Sequence, residues 1–465
     1  MKCIFIMSDS FRRDHMGAYG NPWIHTPNLD RLAGKAYVFD NAYIGSYPTG
    51  PNRRDIHVGK GHKPGHAFNP WTTIRPDEVT TAERLGRAGI HRFMITDVAN
   101  GVMRGANMWK GFEAFRVNRG QEGDGHWSDE NVRLEFDKPH KCIRYGKDLY
   151  HRVLVNRSQR QVEDDCFAPG TFKMACEWLE RNWRREEFFL WVETFDPHEP
   201  WDPPEWYVDR YDPGYKGRII DCPPYGDYKK IGLTAREVRH SQALYAGEVT
   251  MVDTAVGRLL ATLEKLQLLD EVAIIFTSDH GLYCNHPGDA GLVGKPWFVG
   301  EKGAWLIAGD RAMKKTTFLP LRTGTIRIPL LVKMPGQSRG KRIKRIAQPW
   351  DMAPTILDLY QQKIPDELQG ESLLPAIRGR KCKPRPYAFS NYMRGKTQMD
   401  QASNSDWIYS CWPGGERNDN LIDLRNDPTQ RKNAAKKHPE VCRKMRTALE
   451  KWDKGGFENP AGTGL

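Results

Sequence analysis

Near its amino end the chain carries five consecutive apolar residues, Cys3-Ile4-Phe5-Ile6-Met7, which stop abruptly at Ser8-Asp9-Ser10. A continuous apolar run without polar alternation is what a parallel strand buried on both faces requires. It predicts a first strand with Asp9 at its carboxyl end, where open α/β sheets place their sites. The pattern returns at Glu271-Val272-Ala273-Ile274-Ile275-Phe276-Thr277 and again ends in polar residues, Ser278-Asp279-His280-Gly281. Before it, the stretch from about Glu237 to Leu266 has apolar residues at helical spacing and predicts a long helix. Thr26-Pro27 is a helix-start signal leading into Asn28-Leu29-Asp30-Arg31-Leu32-Ala33. Pro329-Leu330-Leu331-Val332-Lys333-Met334-Pro335-Gly336 reads as another strand and turn, followed by a capped helix near Asp351 to Tyr360. This alternation of helix and strand predicts an α/β fold with a mostly parallel, doubly wound sheet.

Between Asp196 and Tyr228 the chain is dense in Pro, Gly, Trp and Tyr, which predicts a long ordered surface loop of the kind that carries function. The basic, turn-rich Arg378-Gly379-Arg380-Lys381-Cys382-Lys383-Pro384 marks a boundary. It divides the chain into a large α/β part, residues 1–375, and a small C-terminal α+β part, residues 376–465, with a short antiparallel sheet and a final helix ending near Trp452.

Composition narrows the function classes. At 39% hydrophobic and 28% charged residues over 465 positions the chain is globular. No run approaches the length of a membrane helix, and Met1 to Met7 is too short an apolar stretch for a signal peptide, so the expected compartment is cytoplasmic, or periplasmic or secreted if the chain is a trimmed form. Nine widely spaced cysteines with no C-x-x-C pair fit a reduced compartment and exclude a cysteine zinc site. The net charge of +12 suits anionic substrates, whereas basic patches interleaved with aromatic residues, as nucleic-acid binding needs, are not evident. The expected partners are therefore small anionic molecules, with no nucleic acid and no membrane. Self-assembly into a homo-oligomer stays open.

Asp9 and the Asp279-His280 pair, each at the end of a predicted parallel strand, form a candidate metal site of two carboxylates and one imidazole. Thr49-Gly50-Pro51-Asn52-Arg53 lies between them in sequence.

Taken together these segments resemble the sulfatase family of the alkaline phosphatase superfamily. The resemblance rests on the strand ending in Asp9, on Gly17-Ala18-Tyr19-Gly20-Asn21, on Thr26 to Ala33, and on Phe39-Asp40-Asn41-Ala42-Tyr43. Further along it rests on Thr277 to Gly281, Gly288 to Lys295, Ile328 to Val332, Asp351 to Asp358, and Asp423-Leu424-Arg425-Asn426-Asp427-Pro428. It implies an alkaline phosphatase-like sandwich and a hydrolase of anionic esters, with a sulfated or phosphorylated saccharide among the expected substrates. It also implies one divalent metal ion (manganese, calcium or zinc) held by Asp9, Ser10, Thr49, Asp279 and His280. Thr49, Arg53, His198 and Lys295 are the implied catalytic residues, with Lys302 a competitor for the lysine.

Three departures shape the expected chemistry. Sulfatases carry C-x-P-x-R and convert its cysteine, or sometimes a serine, to formylglycine; Thr49 cannot give that aldehyde. The resemblance then implies an unmodified hydroxyl nucleophile, as in the superfamily's nucleotide pyrophosphatases, with Arg53 holding the threonine and neutralising the transferred group. Ser10 stands where many sulfatases have a second carboxylate and His280 where calcium sulfatases commonly have Asn, which shifts the metal toward manganese or zinc. The pattern at these positions is closest to the phosphonate monoester hydrolases. The K-x-H pair that grips sulfate is absent, and Asp97 in that region is expected to repel a sulfate. His198 in Asp196-Pro197-His198-Glu199-Pro200 matches the family's leaving-group acid. Three readings follow: a phosphate or phosphonate (di)ester hydrolase acting through Thr49, a sulfuric ester hydrolase with an unmodified hydroxyl, and an inactive binding relative.

Overall fold

The apolar runs form strands because burial on both faces leaves only the ladder to satisfy their backbones. The computed structural model describes residues 1–61, 74–103, 105–133, 143–144, 147–295, 299–300, 316–317, 320–394, 397–411 and 419–455. Eight strands make one sheet in the order Lys341–Ala347, Tyr37–Ala42, Leu330–Lys333, Val272–Ser278, Lys2–Ser8, Phe188–Thr194, His91–Thr96, Ala114–Val117. Leu330–Lys333 runs antiparallel to both its neighbours, and the other pairings are parallel. The sheet is thus mostly parallel, as the alternation of helix and strand predicts. The central strand Phe188–Thr194, buried along its whole length, has no counterpart in the sequence reading, although Phe188 to Val192 is a continuous apolar run.

Successive residues of Lys2–Ser8 alternate between two cores. Cys3, Phe5 and Met7 pack with the helices Thr49–Val58 and Met352–Leu359. Ile4 and Ile6 pack with Pro27–Ala33, Phe167–Asn182 and the long helix Ala235–Lys265. The result is an alkaline phosphatase-like sandwich, with helices on both faces of the sheet. Among the described residues no helix is long and apolar enough to cross a membrane.

From Ala388 the chain forms a four-stranded antiparallel sheet, Ala388–Arg394, Thr397–Ser403, Trp407–Cys411 and Asn420–Asp423. One face, through Ala402, Tyr409 and Leu421, packs on the terminal Pro439–Gly455 helix. The other, through Ala388, Tyr392, Met399, Ile408 and Ile422, joins the core that also holds Phe5 and Trp191. This small sheet is therefore welded to the large one. Tyr47 N–H donates to the Asn391 carbonyl across 2.8 Å, which ties it to the loop before Thr49.

Two helix starts differ from the sequence reading. The Thr26 side chain does not cap Pro27–Ala33. The Asp253 carboxylate of the long helix does so instead, accepting from the backbone N–H groups of Asn28 at 3.2 Å and Leu29 at 2.7 Å. Asp351 does not cap its own helix; its carboxylate accepts from Gln348 N–H at 2.9 Å and Glu371 N–H at 3.0 Å and pairs with Arg385. Both sequence signals mark the right place, but a partner from elsewhere in the chain satisfies the backbone. Asp253→Ala should leave both N–H groups of that first turn unpaired and cost about 1–3 kcal/mol, measured as a lowered denaturation midpoint.

Candidate active site

Register builds the site. Ser8 stands opposite Ser278 on one side and Thr194 on the other, so the residues just past these strand ends, Asp9 and Asp279, emerge side by side. Ser10 then takes a left-handed conformation, φ 60°, turning the chain back over the strand ends. Its N–H donates to Asp279 Oδ1 at 3.0 Å and its hydroxyl to Asp9 Oδ1 at 2.6 Å. Ser10, expected among the metal ligands, is thus engaged in orienting Asp9.

Thr49 is the first residue of the Thr49–Val58 helix, whose ten residues are all buried. Its hydroxyl lies 3.1 Å from His280 Nε2 and 3.3 Å from Lys295 Nζ. Asn52, one turn on, accepts Gly45 N–H at 3.0 Å and donates to the Asp279 carbonyl, locking the helix against the Asp279 loop. Lys295 Nζ also lies 3.3 Å from His280 Nε2 and 4.0 Å from Asp9 Oδ1. Lys302 falls outside the described residues.

Arg53 does not reach the Thr49 hydroxyl. Its guanidinium touches only the Thr49 carbonyl, at 3.3 Å, and spends its other donors on three buried carboxylates: Asp9 at 3.0 Å, Glu193 at 2.6 Å, and Asp279. Glu193 is absent from the sequence reading. The signal for it is a single carboxylate inside the apolar Phe188–Thr194 run, which an unpaired charge could not occupy.

Burial and the neighbouring Asp9 charge push the Asp279 carboxyl up to about 7. Burial alone would raise Asp9 too, but the Lys295 and Arg53 cations more than offset it and hold Asp9 well below the usual carboxylate range. Burial, aided by the Lys295 charge, lowers the His280 imidazole to about 3. His280 is therefore neutral, and Nδ1 donating to the Gly281 carbonyl at 3.0 Å makes Nε2 the lone-pair nitrogen, turned toward Thr49 and Lys295. Asp9, Asp279 and His280 each offer a ligand atom within 4.8 Å of one another. This donor set fits one divalent cation.

His198, just beyond the Phe188–Thr194 strand, has its ring tilted against Phe195, centroids 3.9 Å apart, and donates from Nδ1 to the Glu199 carbonyl. Burial lowers it to about 4, so without ligand it is a neutral imidazole and not the ready acid that the sequence suggests. The Glu199 carboxylate, 3.5 Å from Nδ1, is held by Arg144 and Tyr225 and favours the charged form.

Asp97 faces inward. It accepts from the Thr171 and Thr194 hydroxyls at 2.9 and 2.8 Å and from Phe195 N–H at 2.6 Å, and burial followed by the nearby Asp196 pushes its carboxyl up. It is a strut, and the expected repulsion of an anion does not arise from it.

The sulfatase family profile matches residues 2–362. The chain belongs to the sulfatase family. The C-terminal region described for N-sulphoglucosamine sulphohydrolase matches residues 321–455. An arylsulfatase of Clostridium perfringens is 25% identical, covering 92% of this chain and 88% of that protein. An N-acetylglucosamine-6-O-sulfatase of Bacteroides thetaiotaomicron is 25% identical over 84% of this chain and 73% of its own length. In fold, the phosphonate monoester hydrolase of Agrobacterium radiobacter superposes with a TM-score of 0.73 at 17% identity, covering 98% of this chain and 96% of that one. A protein solved with its substrate D-glucosamine-2-N,6-O-disulfate gives a TM-score of 0.68 at 19% identity, covering 97% of each chain. This sulfatase-family chain is an ester-hydrolysing enzyme by that membership.

Metal content after dialysis tests the cation site: wild type should retain one divalent ion per chain, and Asp279→Ala should lose it. Full occupancy in that variant would rule the site out. A proton held by Asp279 up to about 7 must leave when a cation arrives. Affinity should therefore rise with pH, by about tenfold per unit on the acid side, and level off above that value.

Proposed function

We propose that this enzyme hydrolyses a phosphate or phosphonate ester with the unmodified Thr49 hydroxyl as nucleophile. The supporting observation is the placing of Thr49 Oγ1 between Lys295 Nζ, at 3.3 Å, and His280 Nε2, at 3.1 Å, on the first turn of a buried helix. Lys295 donates to that oxygen, and the helix N-terminus adds partial positive charge, so both favour the alkoxide over the hydroxyl. Asp9, Asp279 and His280 would hold one divalent cation, manganese or zinc in preference to calcium because of the imidazole. When bound, such a cation supplies charge that lowers the hydroxyl's pKa and offsets the anion's own.

The Thr49 oxygen, as the alkoxide whose proton has been released to solvent, forms a bond to phosphorus while the bond to the leaving oxygen breaks. His198 supplies the proton that the leaving oxygen needs, having become charged as the anionic ester arrives beside it, with Glu199 supporting that charge. Water then attacks the Thr49 ester and gives its proton back to His198, which restores the threonine. Arg53 keeps Asp9, Asp279 and Glu193 in place throughout.

Sulfuric ester hydrolysis by the same hydroxyl is the second reading. It is favoured by the similarity to proteins named arylsulfatase and N-acetylglucosamine-6-O-sulfatase. A panel of aryl sulfate, phosphate monoester, phosphate diester and phosphonate ester separates the two, with faster turnover of the phosphorus esters expected. Faster turnover of aryl sulfate would reverse the order.

Thr49→Ala should lower turnover by at least about a thousandfold with the fold intact, and Thr49→Ser should keep a measurable part. Intact mass should show an unmodified threonine; wild-type turnover in Thr49→Ala would remove it as nucleophile. His198→Ala should slow esters of poor leaving groups far more than nitrophenyl esters, since only the former need a proton in the transition state. An equal loss across leaving groups would give His198 a structural role.

A further inference from the structure

Tyr47 is 2% exposed, and its hydroxyl has no hydrogen-bond partner among the described residues. Its ring sits against the site, with its centroid 5.2 Å from that of His280 and 6.1 Å from that of Tyr392. The backbone leaves it little freedom. Tyr47 N–H donates to the Asn391 carbonyl at 2.8 Å, Ser46 N–H to Asp55 Oδ2 at 2.8 Å, and Gly45 N–H to Asn52 Oδ1 at 3.0 Å. The phenol is thus clamped between the helix that presents Thr49 and the C-terminal sheet.

A buried tyrosine hydroxyl normally finds a partner, because leaving one unmade forfeits the water bonds it had when exposed. Phenylalanine would fill the same gap between His280 and Tyr392 without that cost. A buried donor without a partner among the described residues, two residues before Thr49 and against the imidazole that touches the Thr49 hydroxyl, points to a ligand that completes it. A phenol is neutral at ordinary pH, so it can donate but not repel.

We infer that the Tyr47 hydroxyl is a substrate-binding donor that receives a non-bridging oxygen of the esterified anion beside Thr49 and His280. This inference rests on the ester-hydrolase reading and adds to it a neutral donor on the tetrahedral group. Such a donor serves phosphate and sulfate oxygens alike.

Tyr47→Phe separates this role from a structural one. The variant is compared with wild type in melting temperature, in binding of orthophosphate and of sulfate by titration calorimetry, and in kcat and KM on the ester panel. Loss of an unpaired buried hydroxyl should leave the melting temperature unchanged or raised. Affinity for the oxyanion that wild type binds should fall by about ten- to a hundredfold, with a matching fall in kcat/KM. Binding equal to wild type overturns the inference, and a lower melting temperature with unchanged binding does so in favour of a structural hydroxyl. If wild type binds neither ion and turns over none of the esters, the ester-hydrolase reading itself fails, and Tyr47 with it.

Discussion

The Arg53 guanidinium meets Asp9, Glu193 and Asp279 at once, and all four side chains are buried. Three strands deliver those carboxylates: Asp9 and Asp279 leave two strand ends, and Glu193 sits near the end of a third. Packed together without a cation they would repel one another and take up protons; with it, the strand ends can stay in register. Breaking a buried pair of this kind costs about 3–5 kcal/mol, because the remaining charge cannot be solvated. The Thr49–Val58 helix that carries Arg53 is thereby held to the carboxyl edge of the sheet, and Thr49 comes with it, one turn ahead.

The same geometry turns the other oxygens of Asp9 and Asp279, each also accepting from Ser10, toward the same side as the imidazole. Burial and the neighbouring Asp9 charge outweigh Arg53 and Lys295 at Asp279, which keeps a proton up to about 7. A divalent cation held there would displace that proton and leave the pocket positive, which would suit an anionic ester. Burial keeps the His198 imidazole neutral, while the Glu199 carboxylate beside it favours the charged form. Burial thus shifts the protonation of Asp279 and His198 in opposite senses, while Arg53 stays charged among its three carboxylates.

The C-terminal sheet completes the wall. Asn391 fixes the backbone of Tyr47, and Tyr392 packs against its ring. Because the inner face of this sheet shares a core with the large sheet, a ligand donor beside His280 is set by residues more than three hundred positions away in the chain.

What the sequence alone determines here is local. Apolar runs at Cys3 to Met7 and Val272 to Thr277 specify buried strands, because burial on both faces leaves a characteristic continuous pattern, and their polar ends locate Asp9, Asp279 and His280. The long helix before the second strand follows from its period, and Thr49 and Lys295 follow from motif resemblance. The partners of these groups follow from neither. Glu193 stands inside an apolar run, and nothing local says which cation offsets it; only the parallel register of three strands brings Arg53 within reach. Thr26 and Asp351 mark helix starts correctly, yet Asp253 supplies the first cap and Asp351 serves a distant arginine, since a buried polar group takes whichever partner packing brings near. Asp97 looks like a charge facing an anion and proves to be an internal strut. Periodicity and composition register whether a residue is buried, whereas hydrogen bonding and charge pairing depend on distances that exist only once the chain has closed.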